Sequence, residues 1–249
     1  MKKIIAIGGG DIGRPGYPIE TTKIDKEIIK LTGKKNPVLL FIPTASGDSE
    51  SYFETVKNYF GKKLGCRTEV LYLLKGALTQ QEIKNKILSA DIIYVGGGDT
   101  LKMMQAWKKY GVVVLLRQAY DKGIVLSGLS AGAICWFKYG NSDSRKMKNP
   151  NAPLIKVSGL NLVSALLCPH YDFEKDRKSD LKKMMKKTEG IAVAIDNCCA
   201  IEIIDETYRI ISSKKMANAY KVFWAKGTFH HILIAKEKKF LPLSDLLRK

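Results

Sequence analysis

The feature that most restricts the fold is a serine bracketed by glycines at the point where an apolar run ends. Residues 124–126 lead into Ser127-Gly128-Leu129-Ser130-Ala131-Gly132-Ala133, and apolar residues continue to Phe137. We predict a buried strand before Ser130 and the first turns of a buried helix after it, with Ser130 on the tight corner between them. Such a corner strains the serine backbone and pushes its hydroxyl outward, so small neighbours such as Gly128 and Gly132 are needed. The alternative is a glycine-rich turn in which Ser130 only caps a helix.

Apolar segments and helical patterns alternate over the first half of the chain. The predicted strands are Lys3–Ile7, Val38–Ile42, Glu69–Leu73, Ile92–Val95 and the segment before Ser130. The predicted helices are Thr22–Leu31, Ser49–Leu64, Thr79–Ser89, one from Thr100, and Val112–Lys122. This order predicts an α/β fold: a three-layer, mostly parallel sheet with helices on both faces.

The part of the chain beyond Lys156 is richer in strand patterns. Its candidate strands are Ile191–Ile195, Ala200–Ile204, Tyr208–Ser212 and His230–Ala235, and the pattern does not give their topology. No linker, repeat or low-complexity tract divides the 249 residues, so we predict one domain spanning residues 1–249.

Loops that follow parallel strands meet at one edge of a sheet, where such folds bind ligands. Here these loops are 8–13, 43–47, 96–100 and 128–132. The first carries Gly8, Gly10 and Gly13 in a GxGxxG pattern, but Arg14-Pro15-Gly16-Tyr17-Pro18 follows directly, so no helix begins there to receive a pyrophosphate. We therefore interpret it as a close-packed loop at the edge of a crevice rather than a dinucleotide site.

The third loop, Gly96-Gly97-Gly98-Asp99-Thr100, follows a predicted strand and precedes a helix. Its backbone amides favour an anion, and Ser130, whose outward hydroxyl makes it a candidate nucleophile, lies one strand away, so an oxyanion hole is the interpretation we prefer. One amide would come from Gly97 or Gly98 and the other from Ala131, the residue after the serine. The alternative is a plain turn capped by Asp99.

A catalytic serine needs a base, and the chain has only three histidines, His170, His230 and His231. His230 and His231 adjoin an apolar run and are predicted to be structural, whereas His170 lies in the loop segment Cys168-Pro169-His170-Tyr171-Asp172 and suits a general base. Asp143, after the serine corner, could orient the imidazole, with Asp172 and Glu174 as competitors.

The formal net charge of +18 raises the question of nucleic-acid binding. The cations are mostly scattered lysines, and the densest group follows the solvent side of a predicted helix that carries Leu181, Met184 and Met185 on its other side. That group is Lys175, Lys178, Lys182, Lys183, Lys186 and Lys187. We predict no nucleic-acid partner and no membrane segment.

The five cysteines lie mostly in apolar contexts, which predicts buried reduced thiols and a cytoplasmic protein. Like the histidines, they lack metal-ligand spacing, so we predict no metal or organic cofactor.

The serine corner, the segment Val95-Gly96-Gly97-Gly98-Asp99-Thr100 and Pro169-His170-Tyr171, in this order, resemble the peptidase E and cyanophycinase family of serine peptidases. The resemblance spans residues 3 to about 204. It implies a class I glutamine amidotransferase-like, flavodoxin-like fold, with Ser130 as nucleophile, His170 as base and Asp143 as the acidic member. It also implies that the amides of Gly98 and Ala131 stabilise the oxyanion.

The family's best-known activity is the cleavage of dipeptides with an N-terminal aspartate, so the resemblance implies a serine peptidase of small peptides. Basic residues near the histidine bind the aspartyl side chain in that family, and here only Arg177 offers a guanidinium. The alternative for Arg177 is a surface position on the lysine-rich helix. Other functions left open are an esterase or amidase with another acyl substrate, and a non-catalytic binding module. A homodimer is a further expectation.

Overall fold

The strands of the chain form two β-sheets. The computed structural model describes residues 1–173 and 176–249. The larger sheet contains β1 (Lys3–Ile7), β2 (Val38–Ile42), β3 (Arg67–Val70), β4 (Ile92–Val95), β5 (Val125–Leu129), β10 (Cys199–Ile204), β11 (Thr207–Ser212) and β14 (Leu241–Pro242). The smaller sheet contains β6 (Phe137–Ser142), β7 (Ile155–Ser158), β8 (Val163–Cys168), β9 (Ala192–Ile195), β12 (Ala219–Ala225) and β13 (Thr228–Ile234).

Helices pack on both faces of the larger sheet and connect most of its parallel strands, and the helix Arg177–Lys186 packs on the smaller sheet. They are α1 (Thr22–Lys30), α2 (Glu50–Val56, continued by a π-helical segment Lys57–Lys63), α3 (Gln80–Ser89), α4 (Thr100–Lys109), α5 (Val112–Asp121), α6 (Ala131–Ile134), α7 (Arg177–Lys186) and α8 (Leu243–Leu247). A short 3₁₀ turn, Thr44–Ser46, follows β2. No helix within the described ranges has the length and apolar character needed to cross a bilayer.

The centre of the larger sheet is parallel. The strands β1, β5, β4, β2 and β3 lie side by side in this order and run in the same direction. On the other side of β1, the strands β10, β11 and β14 continue the sheet in antiparallel pairing. The predicted α/β fold with a β-rich C-terminal part is therefore confirmed, and the structure adds that β10 and β11 complete the main sheet.

Both faces of the larger sheet are buried because neighbouring residues of a strand point to opposite sides. Ile4 and Ala6 of β1 belong to the core that includes the apolar residues of α3, α4 and α5. Ile5 and Ile7 belong to a second core with the apolar residues of α1 and α2. This arrangement explains why the parallel strands are continuous apolar runs rather than alternating ones.

The segment after Ser130 differs from the prediction. The helix lasts only from Ala131 to Ile134, and Phe137 already begins β6, the first strand of the smaller sheet. The carbonyl oxygen of Cys135 accepts a hydrogen bond from the Leu160 amide at 2.7 Å, and that of Trp136 accepts one from the Leu162 amide at 2.8 Å. These carbonyls thus bond to a distant segment instead of extending the helix.

The third strand and the C-terminal hairpin also differ from the prediction. The residues of β3 that pair in register with β2 are Arg67–Val70. The strand therefore starts and ends earlier than the predicted Glu69–Leu73. β12 has no counterpart among the predicted strands and pairs with both β9 and β13.

The lysine-rich helix is confirmed as a solvated helix face over its described part. α7 buries Leu181 and Met185, and the lysines at 182, 183 and 186 are exposed. Lys175, the first member of the predicted group, lies outside the described residues.

Candidate active site

Ser130 lies on a strained corner between β5 and α6. Its backbone has φ 55° and ψ −113°, a conformation that is costly for a residue with a side chain. The surroundings hold it there: the Ser130 amide donates to the Ile7 carbonyl at 3.1 Å, and Gly132 packs so closely on β4 that a Cβ would lie 2.6 Å from the Val95 carbonyl carbon. The predicted strand-to-helix corner is therefore present, and the close contact with Val95 requires glycine at position 132.

A cavity of about 910 Å³ opens at the carboxyl ends of β1, β5 and β4 and contains Ser130 in its wall; we call it the central cavity. Its volume is at the upper end of what small-molecule sites use. The residues that line it are Gly10, Asp11, Ile12, Arg14, Pro15, Tyr17, Glu20, Ser46, Ser49, Ser51, Tyr52, Thr55, Gly97, Gly98, Leu129, Ser130, Asp143, Met147, His170, Phe173 and Asn197.

The glycine loop after β4 has one backbone amide that is available to an oxyanion in the central cavity. The Gly97 amide donates to the Tyr52 hydroxyl at 3.4 Å, and the Asp99 amide donates to the Ala45 carbonyl at 2.8 Å. Within the described ranges the amides of Gly98 and Ala131 make no hydrogen bond. Asp99 caps α4 by accepting from the Lys102 amide at 3.0 Å. Of the two glycines considered for an oxyanion hole, Gly98 thus has the available amide.

His170 sits against the glycine loop that follows β1. Its amide donates to the Gly8 carbonyl at 3.0 Å, and its Nδ1 lies 2.7 Å from Oδ1 of Asn197. A Cβ on Gly9 would lie 2.5 Å from Cε1 of His170 and would also overlap Asn197 Oδ1. Gly8 and Gly9 therefore form the surface against which the His170–Asn197 pair packs.

Asn197 is a site residue that the sequence reasoning missed. It lies two residues after the end of β9, and the polar pair Asp196-Asn197 at a strand end was the available signal. The Asn197 amide donates to Oδ1 of Asp172 at 2.8 Å. Asp172, expected as a competitor for contact with His170, therefore holds the backbone of the residue that contacts the imidazole. Glu174, the other competitor, lies outside the described residues.

Asp143 lines the central cavity and is positioned by its two neighbours. Ser142 and Ser144 are buried, and their hydroxyls lie 2.9 Å apart. Ser142 donates to the Thr100 hydroxyl at 3.2 Å, and Ser144 accepts from the Leu101 amide at 3.0 Å. Both contacts attach the segment to the N-terminus of α4, so Asp143 is presented to the cavity by a rigid support.

Arg177 is buried in the interior of the fold, whereas the resemblance implied that it binds the substrate. Its side chain is 1% exposed, and Nη1 donates to the backbone oxygen of Asn141 at 2.8 Å and to its Oδ1 at 3.1 Å. Arg177 is not among the described residues that line the central cavity. The surface position considered as the alternative does not hold either, because the guanidinium joins α7 to β6 inside the fold.

The cavity wall carries acidic side chains and one arginine. Burial opposes the charge of Asp11, but hydrogen bonds from the Arg14 and Gly13 amides and from the Arg14 guanidinium outweigh it and hold the pKa of Asp11 below its usual value. Glu20 forms an ion pair with Lys214 and accepts from the Asp11 amide at 3.1 Å. Asp143 forms no ion pair with the described residues.

The remaining histidines pack against aromatic rings and are not among the described residues that line the central cavity. His230 stacks on Phe223 with ring centroids 4.6 Å apart, and His231 stacks on Tyr220 at 4.5 Å. Burial lowers the pKa of His231. All five cysteines are buried. Over the described ranges, no group of three or more His, Cys, Asp or Glu side chains is arranged to hold a metal ion.

Comparison with known proteins gives a consistent result. The model of peptidase family S51 matches residues 4–211. The chain is 35% identical over 230 residues to the uncharacterized peptidase YgaJ of Bacillus subtilis (strain 168), which covers 91% of this chain and 94% of that protein. It is 29% identical over 136 residues to peptidase E of Shewanella sp. (strain ANA-3), covering 53% of this chain and 52% of that protein.

A solved structure shares the fold. The crystal structure of a peptidase from an acI-B1 Actinobacterium superimposes with a TM-score of 0.69, covers 97% of both chains and is 17% identical in sequence. The family model matches most of the chain, and the Bacillus protein is similar over nearly its whole length. The chain therefore belongs to peptidase family S51 and is a serine-type peptidase, a hydrolase.

Proposed function

We propose that this peptidase hydrolyses small peptides, including dipeptides with an N-terminal aspartate, by acyl transfer to Ser130. The observation that carries the proposal is the meeting of three features at one cavity. Ser130 on its strained corner, the Gly98 loop and the His170–Asn197 pair all line the central cavity.

The hydrogen bond between His170 and Asn197 supports a defined tautomer. When Nδ1–H of His170 donates to Oδ1 of Asn197, Nε2 is left without a proton and can accept the one on the Ser130 hydroxyl. Asn197 would then be the third member of the catalytic group. A histidine oriented by an asparagine also occurs in the Cys-His-Asn arrangement of other peptidases.

The reaction follows from these roles. Ser130 Oγ attacks the carbonyl carbon of the scissile peptide bond while its proton passes to His170. The amides of Gly98 and Ala131 donate to the oxyanion. Collapse breaks the C–N bond, and the leaving amine takes the proton from His170. A water molecule, deprotonated by His170, then attacks the acyl ester and releases the acid and Ser130.

The proposal is tested with a panel of dipeptides with Asp, Asn, Glu or neutral N-terminal residues. We expect hydrolysis that Ser130→Ala and His170→Ala reduce by at least 100-fold, since each removes a group that acts in the transition state. Ser89→Ala, on the exposed face of α3, is the matched control. Full activity of Ser130→Ala would overturn the assignment. Serine-dependent cleavage of p-nitrophenyl esters without cleavage of any peptide would favour the esterase alternative.

The role of Asp143 is tested separately. The resemblance implies that it orients His170, whereas in the structure Asn197 contacts the imidazole. If Asp143→Asn has undiminished turnover, Asp143 does not act as the triad acid. A loss in Asp143→Asn together with an unaffected Asn197→Ala would return that role to Asp143.

A further inference from the structure

Arg14 stands out in the central cavity of this strongly basic chain. The chain has 42 lysines and arginines, yet among the described lining residues Arg14 is the single permanently charged cation. Of the three acids among these described lining residues, Asp11 and Glu20 already form ion pairs, with Arg14 and Lys214 respectively. The cation in the cavity is therefore distinct from the exposed lysines that are distributed over the surface.

The Arg14 side chain is held firmly along one edge and is open along the other. Its Nε donates to Oδ2 of Asp11 at 2.6 Å, and its guanidinium carbon lies 4.6 Å from the centre of the Tyr17 ring. Asp11 itself is fixed by the amides of Gly13 and Arg14, each at 2.8 Å. The two Nη atoms make no hydrogen bond with the described residues, and the side chain is 60% exposed.

A guanidinium in this state matches a carboxylate. The Nη atoms of an arginine form a planar fork that binds both oxygens of a carboxylate in parallel. Stacking on Tyr17 and the bond to Asp11 set the plane of the fork before a ligand arrives, which reduces the entropy lost on binding. Arg177, the guanidinium that the resemblance implied for the aspartyl side chain, is buried against Asn141 and is not among the described residues that line the cavity.

The position of the loop that carries Arg14 indicates which end of the substrate Arg14 faces. In acyl transfer the histidine returns its proton to the leaving nitrogen, so the leaving residue lies beside His170. His170 is seated on Gly8 and Gly9, at the start of the loop that continues to Arg14. The Gly98 loop follows β4, and Ser130 follows β5, which lies between β1 and β4. Arg14 is therefore on the leaving-group side of Ser130, opposite the oxyanion loop.

We propose that Arg14 binds the terminal α-carboxylate of the leaving amino acid, so that the enzyme is an exopeptidase that requires a free C-terminus next to the scissile bond. A dipeptide satisfies this requirement with its second residue. The inference rests on the proposed function of Ser130 and His170, and it names the residue that limits the leaving group to a single amino acid.

The experiment compares free acids with C-terminal amides. The substrates are Asp-Leu, Asn-Leu, Asp-Leu-NH₂ and Asn-Leu-NH₂, assayed with the wild-type protein, Arg14→Gln, Arg14→Lys and Arg248→Gln, the last an exposed arginine near the C-terminus. For the wild type we expect kcat/KM for each free acid to exceed that for its amide by about 10-fold or more, the range of a hydrogen bond to a charged group. Arg14→Gln should bring this ratio close to one, mainly through KM, and Arg14→Lys should retain part of it.

Each outcome decides the proposal. An equal loss on acids and amides in Arg14→Gln would mean that Arg14 only stabilises its loop. If instead the Asp-to-Asn preference collapses while the acid-to-amide ratio persists, Arg14 reads the N-terminal side chain, and its placement on the leaving side is wrong. Arg248→Gln should behave as the wild type.

A binding measurement separates this inference from the proposed function. Calorimetry of Ser130→Ala with Asp-Leu and Asp-Leu-NH₂ needs no turnover. Tighter binding of the free acid, lost when Arg14→Gln is added, supports the carboxylate site even if the wild-type protein cleaves none of the four substrates. Equal affinity for acid and amide, or no binding of either, overturns it.

Discussion

The contact between His170 and Asn197 is unusual because it gives the imidazole a neutral partner. Oδ1 of Asn197 lies 2.7 Å from Nδ1, close enough to orient the ring. A carboxylate at the same place would orient the ring and would also favour its protonated form. Exchanging this side chain for a carboxylate therefore tests whether the contact persists during turnover.

Replacing Asn197 by Asp should shift the pH dependence of hydrolysis. A negative charge beside the imidazole stabilises imidazolium, so the acidic limb of the kcat/KM profile should move to higher pH by about 1 to 3 units. Asn197→Ala should instead lower kcat by about 100-fold or more, because the ring loses its orientation. The measurement is the pH profile of wild type and both variants.

Asn85→Asp, an exposed amide on α3, is the control for an added negative charge. A profile of Asn197→Asp that coincides with that of wild type would show that Asn197 does not contact the imidazole during turnover.

At the scale of elements, the corner at Ser130 depends on the packing of α6 against β4. Gly132 is in contact with the backbone of Val95, and Gly128 is enclosed by the same strand: a Cβ there would lie 2.5 Å from the Val95 oxygen. Backbone atoms cannot move aside as a flexible side chain would. The spacing of glycines around Ser130 thus reflects the distance between a helix and a strand as well as the strain of the serine.

Gly132→Ala should therefore destabilise the protein by several kcal/mol, of the order of 3, as overpacking against a rigid backbone does. Gly61→Ala is the matched control, because a Cβ at this helical position would meet its nearest neighbour, Thr68, at an ordinary 3.5 Å. There we expect a gain of about 0.5 to 1 kcal/mol from helix propensity. Urea unfolding of both variants measures the difference, and equal stabilities would contradict the packing argument.

At the scale of the whole molecule, a buried carboxyl links two helical segments of one core. Asp25 of α1 is fully buried and accepts hydrogen bonds from the hydroxyls of Thr21 at 2.7 Å and Tyr59 at 2.9 Å. Burial raises its pKa to about 7, although both hydroxyls act in the opposite direction. Because Tyr59 lies in the helical segment after α2, ionisation of Asp25 affects the packing of two helices on the sheet.

The sign of the effect on stability follows from proton linkage. An unfolded aspartate titrates near 3.9, so between this value and about 7 the folded protein binds the additional proton, and stability falls as the pH rises. We expect the free energy of unfolding of wild type, relative to Asp25→Asn, to decrease by about 2 to 3 kcal/mol from pH 5 to pH 8. Urea unfolding at both pH values checks this, with the exposed Asp121→Asn as control. Parallel pH dependence of wild type and Asp25→Asn would contradict the raised pKa.

The parallel half of the fold and the serine corner were predictable because their signals are local. The strands β1, β2, β4 and β5 are apolar runs bounded by glycine or proline, and buried parallel strands have this pattern. The order of strands with helices between them then gives the crevice at their carboxyl ends. The sequence therefore predicts the candidate nucleophile, the glycine loop and the loop histidine, and the structure brings Ser130, Gly98 and His170 to one cavity.

What the pattern did not give depends on pairing between distant segments. The helix after Ser130 stops after one turn because residues near 160 bond to Cys135 and Trp136, and nothing in the local sequence marks that end. The burial of Arg177 likewise depends on Asn141, 36 residues away. A basic residue on a lysine-rich helix carries no local sign that it will point inward.

The sequence by itself determined the chemistry available to this protein: a serine on a glycine corner, a loop histidine, an amide-rich loop and the alternation that builds a parallel sheet. Only the tertiary structure decided the partners. It placed Asn197 against Nδ1 of His170, used the N-terminal glycines to position that pair, and left Arg14, but not Arg177, among the described residues that line the cavity. The physical reason is that periodicity and turn residues act over a few positions, whereas a hydrogen-bond partner is chosen by strands and loops that meet only when the two sheets have formed.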